Sequence, residues 1–393
     1  MTKKKYSFDH LPLREGTNCV KWDLRETYFG KPDILPLWVA DMDFETPDFI
    51  LNRIKERLEH PVLGYTVRPD SFNQAFIDWC NKKYKWEVKK EWMSFSPGVV
   101  SAVTMAVQGF TQPGDEVITQ PPVYFPFFQS VKDTGRTLLY NQLKEDNGRL
   151  CMDFEQLESI ITEKTKMIII SNPHNPGGSV WTEQEFNQLG DICEKHQIMV
   201  ISDEIHSDLV FKPHQHIPFA KVVSQDRVKS ITCMAASKTF NLAGMSTSLV
   251  IAPDEEVLKK YTQLLQVSHI NMGNIFGSIA TEAAYGEGSD WLNQLMNYLL
   301  DNRDFLNEFI VTRLKPLRML IPEATYLAWV DFSGLGLSQD RLNHWLINDA
   351  RVAMNSGTLF GPGGEGFIRI NFACPRSMLE KALERIEKAM KKL

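Results

Sequence analysis

Five apolar runs rich in β-branched residues punctuate the middle of the chain: "DEVIT", "KMIIISNP", "IMVISDE", "KSITCMAAS" and "STSLVIA". Their apolar character is continuous instead of alternating, which predicts strands buried on both faces. Between the second and third lies "TEQEFNQLGDICEKHQ", where the period changes. Phe186, Leu189, Ile192 and Cys193 fall on one helical stripe, and Thr182 with Glu185 makes a capping box at its start. Repeated strand and helix units predict an α/β fold with a mostly parallel sheet flanked by helices.

After about residue 286 the pattern shifts to a long helical stretch, "WLNQLMNYLLDNRDFLNEFIVTRL". Strand-like "TYLAWVDF" and "GFIRINFA" follow, and then a closing helix for which Ser377 and Glu380 read as a second capping box. This predicts a smaller α+β domain joined by the N-terminal arm. The expected division is a large domain over 46–285, with the arm (1–45) and the small C-terminal domain (286–393) together forming the rest.

At 393 residues the chain is long enough for two or three domains. A net charge of -6 gives no reason to expect a nucleic-acid partner, and the basic ends "TKKKY" and "KAMKKL" are short enough to be solvated termini. No run of about 18 apolar residues appears, and the basic start lacks the apolar stretch of a secretory signal, so a cytoplasmic protein without a membrane span is expected. The six cysteines are scattered singly, without a CxxC pair, which points to neither a zinc site nor a disulfide framework. His214 and His216 in "HQH" have no further ligand in the pattern to complete a metal site.

Chemistry is expected where polar residues follow the strands, because ligands in open α/β sheets sit beyond the carboxyl ends. Lys238 in "MAASKTFNLAG" follows one of them: it is either a solvated or ion-paired lysine or a Schiff-base lysine that must shed its proton to attack an aldehyde. Asp203 ends "IMVISD" and could cap a helix or hold a proton on a ring nitrogen. In "SNPHNPGG" the prolines and glycines read as a rigid turn, while Asn175 offers an amide donor suited to a phenolate oxygen. Gly98 precedes an apolar helix whose first amides, from Val99 and Val100, would suit a phosphate. Tyr124 in "PPVYFPF" is either a packing residue or a platform for a flat heterocycle, and Arg369 inside "GFIRINFA" needs a carboxylate, from the protein or from a substrate.

Taken in order, "SNPHNPGG", "SDEIHSDLV", "SKTFNLAG" and "IRINFACP" resemble fold-type I pyridoxal phosphate enzymes related to aspartate aminotransferase. With "LPLWVADMDFETP" (35–47) and "LGYTV" (63–67), the chain is similar to the MalY/PatB-type cystathionine β-lyases, or carbon–sulfur lyases, over nearly its whole length. The resemblance implies a fold-type I transferase architecture, pyridoxal 5'-phosphate as cofactor and a homodimer. Lys238 would carry the cofactor as a Schiff base and return as the catalytic base, and Asp203 would keep the ring nitrogen protonated. Asn175 would bond the ring hydroxyl and Tyr124 would stack on the ring. Val99, Val100 and Ser237 would hold the phosphate, Tyr65 would reach in from a neighbouring subunit, and Arg369 would take the substrate carboxylate.

Three departures from the pattern stand out. His206 occupies a place where many relatives have tyrosine, and it would be either a partner of Asp203 or the ring hydroxyl, or a packed histidine. "AGMSTS" lacks the basic residue common after the lysine, and Ala235 replaces a serine. The phosphate would then depend more on helix amides and hydroxyls. The reaction implied is β-elimination of L-cystathionine and other S-substituted L-cysteines, including cysteine, to pyruvate, ammonia and a thiol. Alternatives are an aminotransferase, or a regulatory or interaction protein on a retained enzyme fold.

Overall fold

The computed structural model describes residues 4–393. Its largest sheet has seven strands: β1 (Met93–Ser96), β2 (Glu116–Thr119), β3 (Thr137–Tyr140), β4 (Thr165–Ser171), β5 (Met199–Asp203), β6 (Ser230–Met234) and β7 (Ser248–Ile251). Their spatial order is β1-β7-β6-β5-β4-β2-β3, and β7 alone pairs antiparallel with its neighbours. The five apolar runs are β2, β4, β5, β6 and β7. The two strands without such a signal are the edges β1 and β3, which are only half covered, so they need no continuous apolar run.

Burial on both faces explains the central runs. Ile168, Ile170 and Val200 pack with Phe186 and Leu189 of the helix Glu183–His196, whereas Met167, Ile169 and Ile201 turn to the other side and meet Val103 and Val107 of the helix Val99–Phe110. Each fully buried side chain of this kind stabilises the fold by roughly 1.5–3 kcal/mol relative to exposure. The helix Glu183–His196 carries the expected capping box, with Thr182 and Glu185 bonding reciprocally.

The register aligns the strand ends. Ser171 lies opposite Asp203, and Asp203 opposite Cys233, so the segments after β4, β5 and β6 leave the sheet side by side. Asn175, Asp203 and Lys238 are thereby delivered to one edge.

The smaller domain has a four-stranded antiparallel sheet ordered Arg318–Leu320, Leu327–Asp331, Phe367–Asn371 and Asn355–Ser356. The long helix Ser289–Arg313 and the closing helix Arg376–Met390 contact each other and bury Leu299, Leu306, Leu379 and Leu383 in one core with Leu327 and Ile370. The second expected capping box is corrected here: the closing helix begins at Arg376, with Pro375 at its N-cap and no side-chain cap. The amide of Arg376 donates to the Tyr298 hydroxyl at 2.8 Å, so a tertiary contact does what Ser377 was expected to do.

The N-terminal arm crosses both parts. Leu35–Pro36 pairs in parallel with Val352–Ala353, and Asn371 donates from Nδ2 to the carbonyls of Val39 and Asp41 at 2.6 and 2.7 Å. Behind it, fully buried Lys21 and Asp43 form an ion pair at 2.6 Å. Of the basic N-terminal stretch read as solvated, residues 1–3 lie outside the described residues, and Lys4 pairs with Asp48.

Candidate active site

Lys238 stands in the short helix Ala236–Thr239, which follows β6 directly. Small residues on its N-terminal side, Ala235 and Ala236, are buried and let the chain turn tightly into the core. Thr239 donates from Oγ1 to Asp208 at 3.0 Å, and Asp208 also accepts from Trp79 Nε1 at 2.8 Å and Tyr84 Oη at 2.5 Å. The lysine's neighbour is therefore fixed by a carboxylate that lies just past β5. Lys238 keeps some accessible surface, yet its ammonium is surrounded by protein and donates to the Ala40 carbonyl at 2.6 Å. Burial lowers its pKa to about 8; Arg369 lowers it too, while Asp41 and Asp203 oppose the shift. A substantial neutral fraction near neutral pH is what a nucleophilic amine requires.

Asp203 is buried at the end of β5, where its Oδ1 accepts the Ile205 amide at 3.0 Å. Burial pushes its pKa up to about 7, against that hydrogen bond and the charge of Lys238. A carboxylate so placed would be relieved by a cationic N–H set against it. His206 is buried as well, and burial, reinforced by Lys238 and Arg369, holds its pKa well below the usual histidine value. Its Nδ1 has no partner among the described residues, and no hydrogen bond joins it to Asp203. Its ring lies edge-on to Tyr326, with centroids 6.0 Å apart.

Arg369 projects from the strand Phe367–Asn371 and is only 3% exposed. Its hydrogen bonds go to three neutral oxygens: Asn175 Oδ1 at 3.0 Å, the Trp38 carbonyl at 3.0 Å and Asn355 Oδ1 at 2.7 Å. The guanidinium lies over the Phe360 ring, 4.9 Å from its centroid, and Nε is left unpartnered. Burial lowers its pKa to about 10. Without a carboxylate the charge is uncompensated, which is costly in the interior and is resolved by an anionic ligand. Because an arginine can only donate, the contact also turns the oxygen of Asn175 toward Arg369 and frees its Nδ2 to donate elsewhere.

The turn that carries Asn175 is shaped by glycine. Gly178 has φ +74°, and a Cβ there would meet Pro322 at 2.5 Å. At the other end of the site, Gly98 leads into the helix Val99–Phe110, whose first amides have no partner within the helix. Val99, Ala235, Ile205 and partly buried Tyr124 belong to the same hydrophobic cluster on one face of the large sheet. Burial raises the Tyr124 pKa, and the charges of Arg369 and Asp203 act on the same hydroxyl. Ser237, beside Lys238, is half-buried.

Tyr65 is 96% exposed, in a segment without regular structure. His216 lies 2.8 Å from Glu204, His214 3.7 Å from Glu323, and no metal-ligating cluster occurs among the described residues.

Sequence reasoning missed the arm's part in the site. Ala40 and Trp38 contribute main-chain carbonyls to Lys238 and Arg369, Asp41 acts on Lys238 by charge, and the Tyr326 hydroxyl donates to the Ala40 carbonyl at 3.0 Å. The only signal was the motif "LPLWVADMDF" itself, because a carbonyl contact leaves no mark on residue type.

A partly deprotonated lysine, a buried carboxylate without a cation bonded to it, a free amide donor, helix amides and an unpaired guanidinium make a donor set that fits pyridoxal 5'-phosphate and an amino acid carboxylate. Fold and site together define an α/β enzyme of fold type I, the class that uses this cofactor. The chain belongs to the aminotransferase class I and II family, which it matches over residues 32–386. Cystathionine beta-lyase PatB of Bacillus subtilis (strain 168) is 43% identical over 98% of this chain and 100% of that protein. The structure of cystalysin from Treponema denticola, which contains a pyridoxal 5'-phosphate cofactor, gives a TM-score of 0.95 at 33% identity, covering 99% of this chain and 100% of that one. The pyridoxal phosphate-bound C-S lyase from Staphylococcus hominis gives 0.92 at 36% identity, covering 98% of each chain.

Proposed function

We propose that this chain is a carbon–sulfur lyase that uses pyridoxal 5'-phosphate to carry out β-elimination on L-cystathionine, on other S-substituted L-cysteines and on L-cysteine itself. One water is consumed, and pyruvate, ammonia and a thiol are released. The observation that carries the reading is the buried, unpaired guanidinium of Arg369, bonded to Asn175 and electrostatically coupled to Lys238. It supplies a carboxylate anchor within the influence of the amine. The names of the relatives, a cystathionine β-lyase and a C-S lyase, support elimination over amino-group transfer.

The bound cofactor supplies an electron sink for the pair left when a Cα–H bond breaks. Arg369 fixes the substrate carboxylate and so sets which Cα bond faces the ring. Lys238, whose ammonium pKa is lowered to about 8 by burial, is the group placed to take the Cα proton through Nζ. Asp203 would hold a proton on the ring nitrogen, which would maintain the sink. Asn175 Nδ2 would be the donor to the ring oxygen, with His206 as a further partner, and Tyr124 would hold the ring. The backbone amides of Val99 and Val100, with Ser237, would hold the phosphate. Departure of a thiolate from Cβ then needs no metal, because a thiol's ordinary pKa near 8.5 makes it a competent leaving group.

The reading includes a homodimer in which exposed Tyr65 serves the partner's site, and the division into a large domain over 46–285 and the remainder of the chain. Among the described residues no helix is long and apolar enough to cross a membrane. The test is turnover of L-cysteine, L-cystathionine and S-alkyl cysteines without a keto acid, measuring pyruvate and free thiol. Stoichiometric release of both is expected; a requirement for an added keto acid, with its amino acid as product, would replace this function by an aminotransferase. Mixed Tyr65→Ala and Lys238→Ala chains should regain activity if the site is shared.

A further inference from the structure

Beside Arg369 lies a cavity of about 500 Å³. It adjoins the carboxylate anchor through two residues that are both cavity lining and hydrogen-bond partners of the guanidinium: Trp38, by its carbonyl, and Asn355, by its side-chain oxygen. The cavity and the carboxylate anchor thus share two residues.

The lining is mostly apolar and aromatic, and none of its residues is charged. Trp38 packs against Tyr28 and Phe29, with ring centroids 4.9 and 5.2 Å away. Phe125 meets Phe360, the ring beneath Arg369, at 6.1 Å. Leu359 stands 47% exposed at the rim. Several polar atoms of the wall bond to one another: the Ser356 hydroxyl accepts from Asn343 Nδ2 at 3.2 Å and from Gln339 Nε2 at 2.9 Å, and it lies 3.0 Å from the Thr358 hydroxyl. A charged group entering here would give up water and meet no opposite charge in the wall. An apolar group would exchange water for aromatic surface.

We propose that this cavity is the pocket for the S-substituent and that it selects uncharged, apolar or aromatic S-substituted cysteines over L-cystathionine, whose distal end is a zwitterion. The inference rests on the lyase reading and deepens it. One methylene in a hydrophobic pocket is worth about 10- to 200-fold, so a preference of at least about tenfold in kcat/KM for S-benzyl-L-cysteine over L-cystathionine is expected. Leu359→Asp, an exposed position, should shrink that ratio by placing a carboxylate where the distal ammonium of cystathionine would lie.

Binding is measured separately, by calorimetry on the holoenzyme with 3-phenylpropanoate and with succinate, which share a carboxylate and differ in the tail. The phenyl acid should bind more tightly, and Leu359→Asp should weaken it. Pyruvate formed from L-cystathionine as readily as from S-benzyl-L-cysteine, or succinate binding as tightly as the phenyl acid, overturns the pocket and leaves the lyase function standing. Tight, Leu359-dependent binding of the phenyl acid without turnover of any cysteine derivative supports the pocket and removes the lyase function.

Discussion

Arg369 donates from Nη1 to the side-chain oxygen of Asn175 at 3.0 Å, which joins a strand of the smaller domain to the turn after β4 of the large sheet. One amide thus faces the substrate anchor with its oxygen and the proposed ring position with its nitrogen.

Asn175→Ala should therefore damage two properties at once. Loss of a hydrogen bond to a charged group costs about 1.5–3 kcal/mol, which corresponds to a rise in amino acid KM of roughly ten- to a hundredfold. The pH dependence of the visible absorption band of the holoenzyme should also move, because the ring oxygen loses its donor. Steady-state kinetics and a spectroscopic pH titration check the two effects, and a shift in only one of them would separate the roles assigned to this amide.

The lysine gives a kinetic prediction. With its pKa lowered to about 8 by burial, Lys238 becomes a free amine as pH rises through that value. Uptake of pyridoxal 5'-phosphate by apoprotein, followed by growth of its visible band, should accelerate with pH and level off above about 8. An ordinary lysine would still be accelerating toward 10.4. Asp41 opposes the shift, so Asp41→Asn should move the midpoint to lower pH.

Asp203 makes a prediction about stability. Its folded pKa, pushed up to about 7 by burial, stands above the unfolded value near 3.9. The native apoprotein thus holds the proton more tightly than the unfolded chain. The benefit is complete below about pH 4 and is lost as pH rises toward 7, where the buried carboxylate ionises. Asp203→Asn apoprotein should accordingly melt at a higher temperature than the unmodified apoprotein at pH 8, with the gap closing toward pH 4. Thermal melts of both across that range decide it, and parallel curves would mean that Asp203 is not strained in the empty fold.

The sequence disclosed the parts of this arrangement that are written in residue type. Strands β2, β4, β5, β6 and β7 were visible because both of their faces are covered, and Asn175, Asp203 and Lys238 because they are polar residues placed just where such runs stop. The edges β1 and β3 carry no such run. The contact between Lys238 and Ala40 spans 198 residues and uses a carbonyl, which every residue possesses. The link between Arg369 and Asn175 spans 194 residues and could not be read from either strand alone. Ser377 misled for a related reason: a local capping pattern was present, but Tyr298, from a distant helix, reached the amide of Arg376 first.

The ion pair behind the arm leads to an asymmetric prediction. Asp43 accepts from three donors: Lys21 Nζ at 2.6 Å, Arg14 Nη1 at 2.6 Å and Trp22 Nε1 at 2.8 Å. Lys21, fully buried, has Asp43 as its close carboxylate, with Asp41 3.6 Å away. Removing the carboxylate strands a buried ammonium and an indole N–H, and breaking a buried pair in this way costs about 3–5 kcal/mol. Removing the ammonium leaves Asp43 with Arg14 and Trp22, and a methionine fills nearly the same volume. Asp43→Ala should therefore lower the melting temperature clearly more than Lys21→Met, and the double variant Lys21→Met, Asp43→Leu should recover much of the loss. The same comparison reaches the active site, since the arm carries the carbonyls of Trp38 and Ala40 to Arg369 and Lys238. Asp43→Ala should thus weaken cofactor retention under dialysis as well as stability, whereas Lys21→Met should affect retention little. Equal melting losses for the two single variants would show that Asp43 depends on Lys21 as much as Lys21 depends on Asp43.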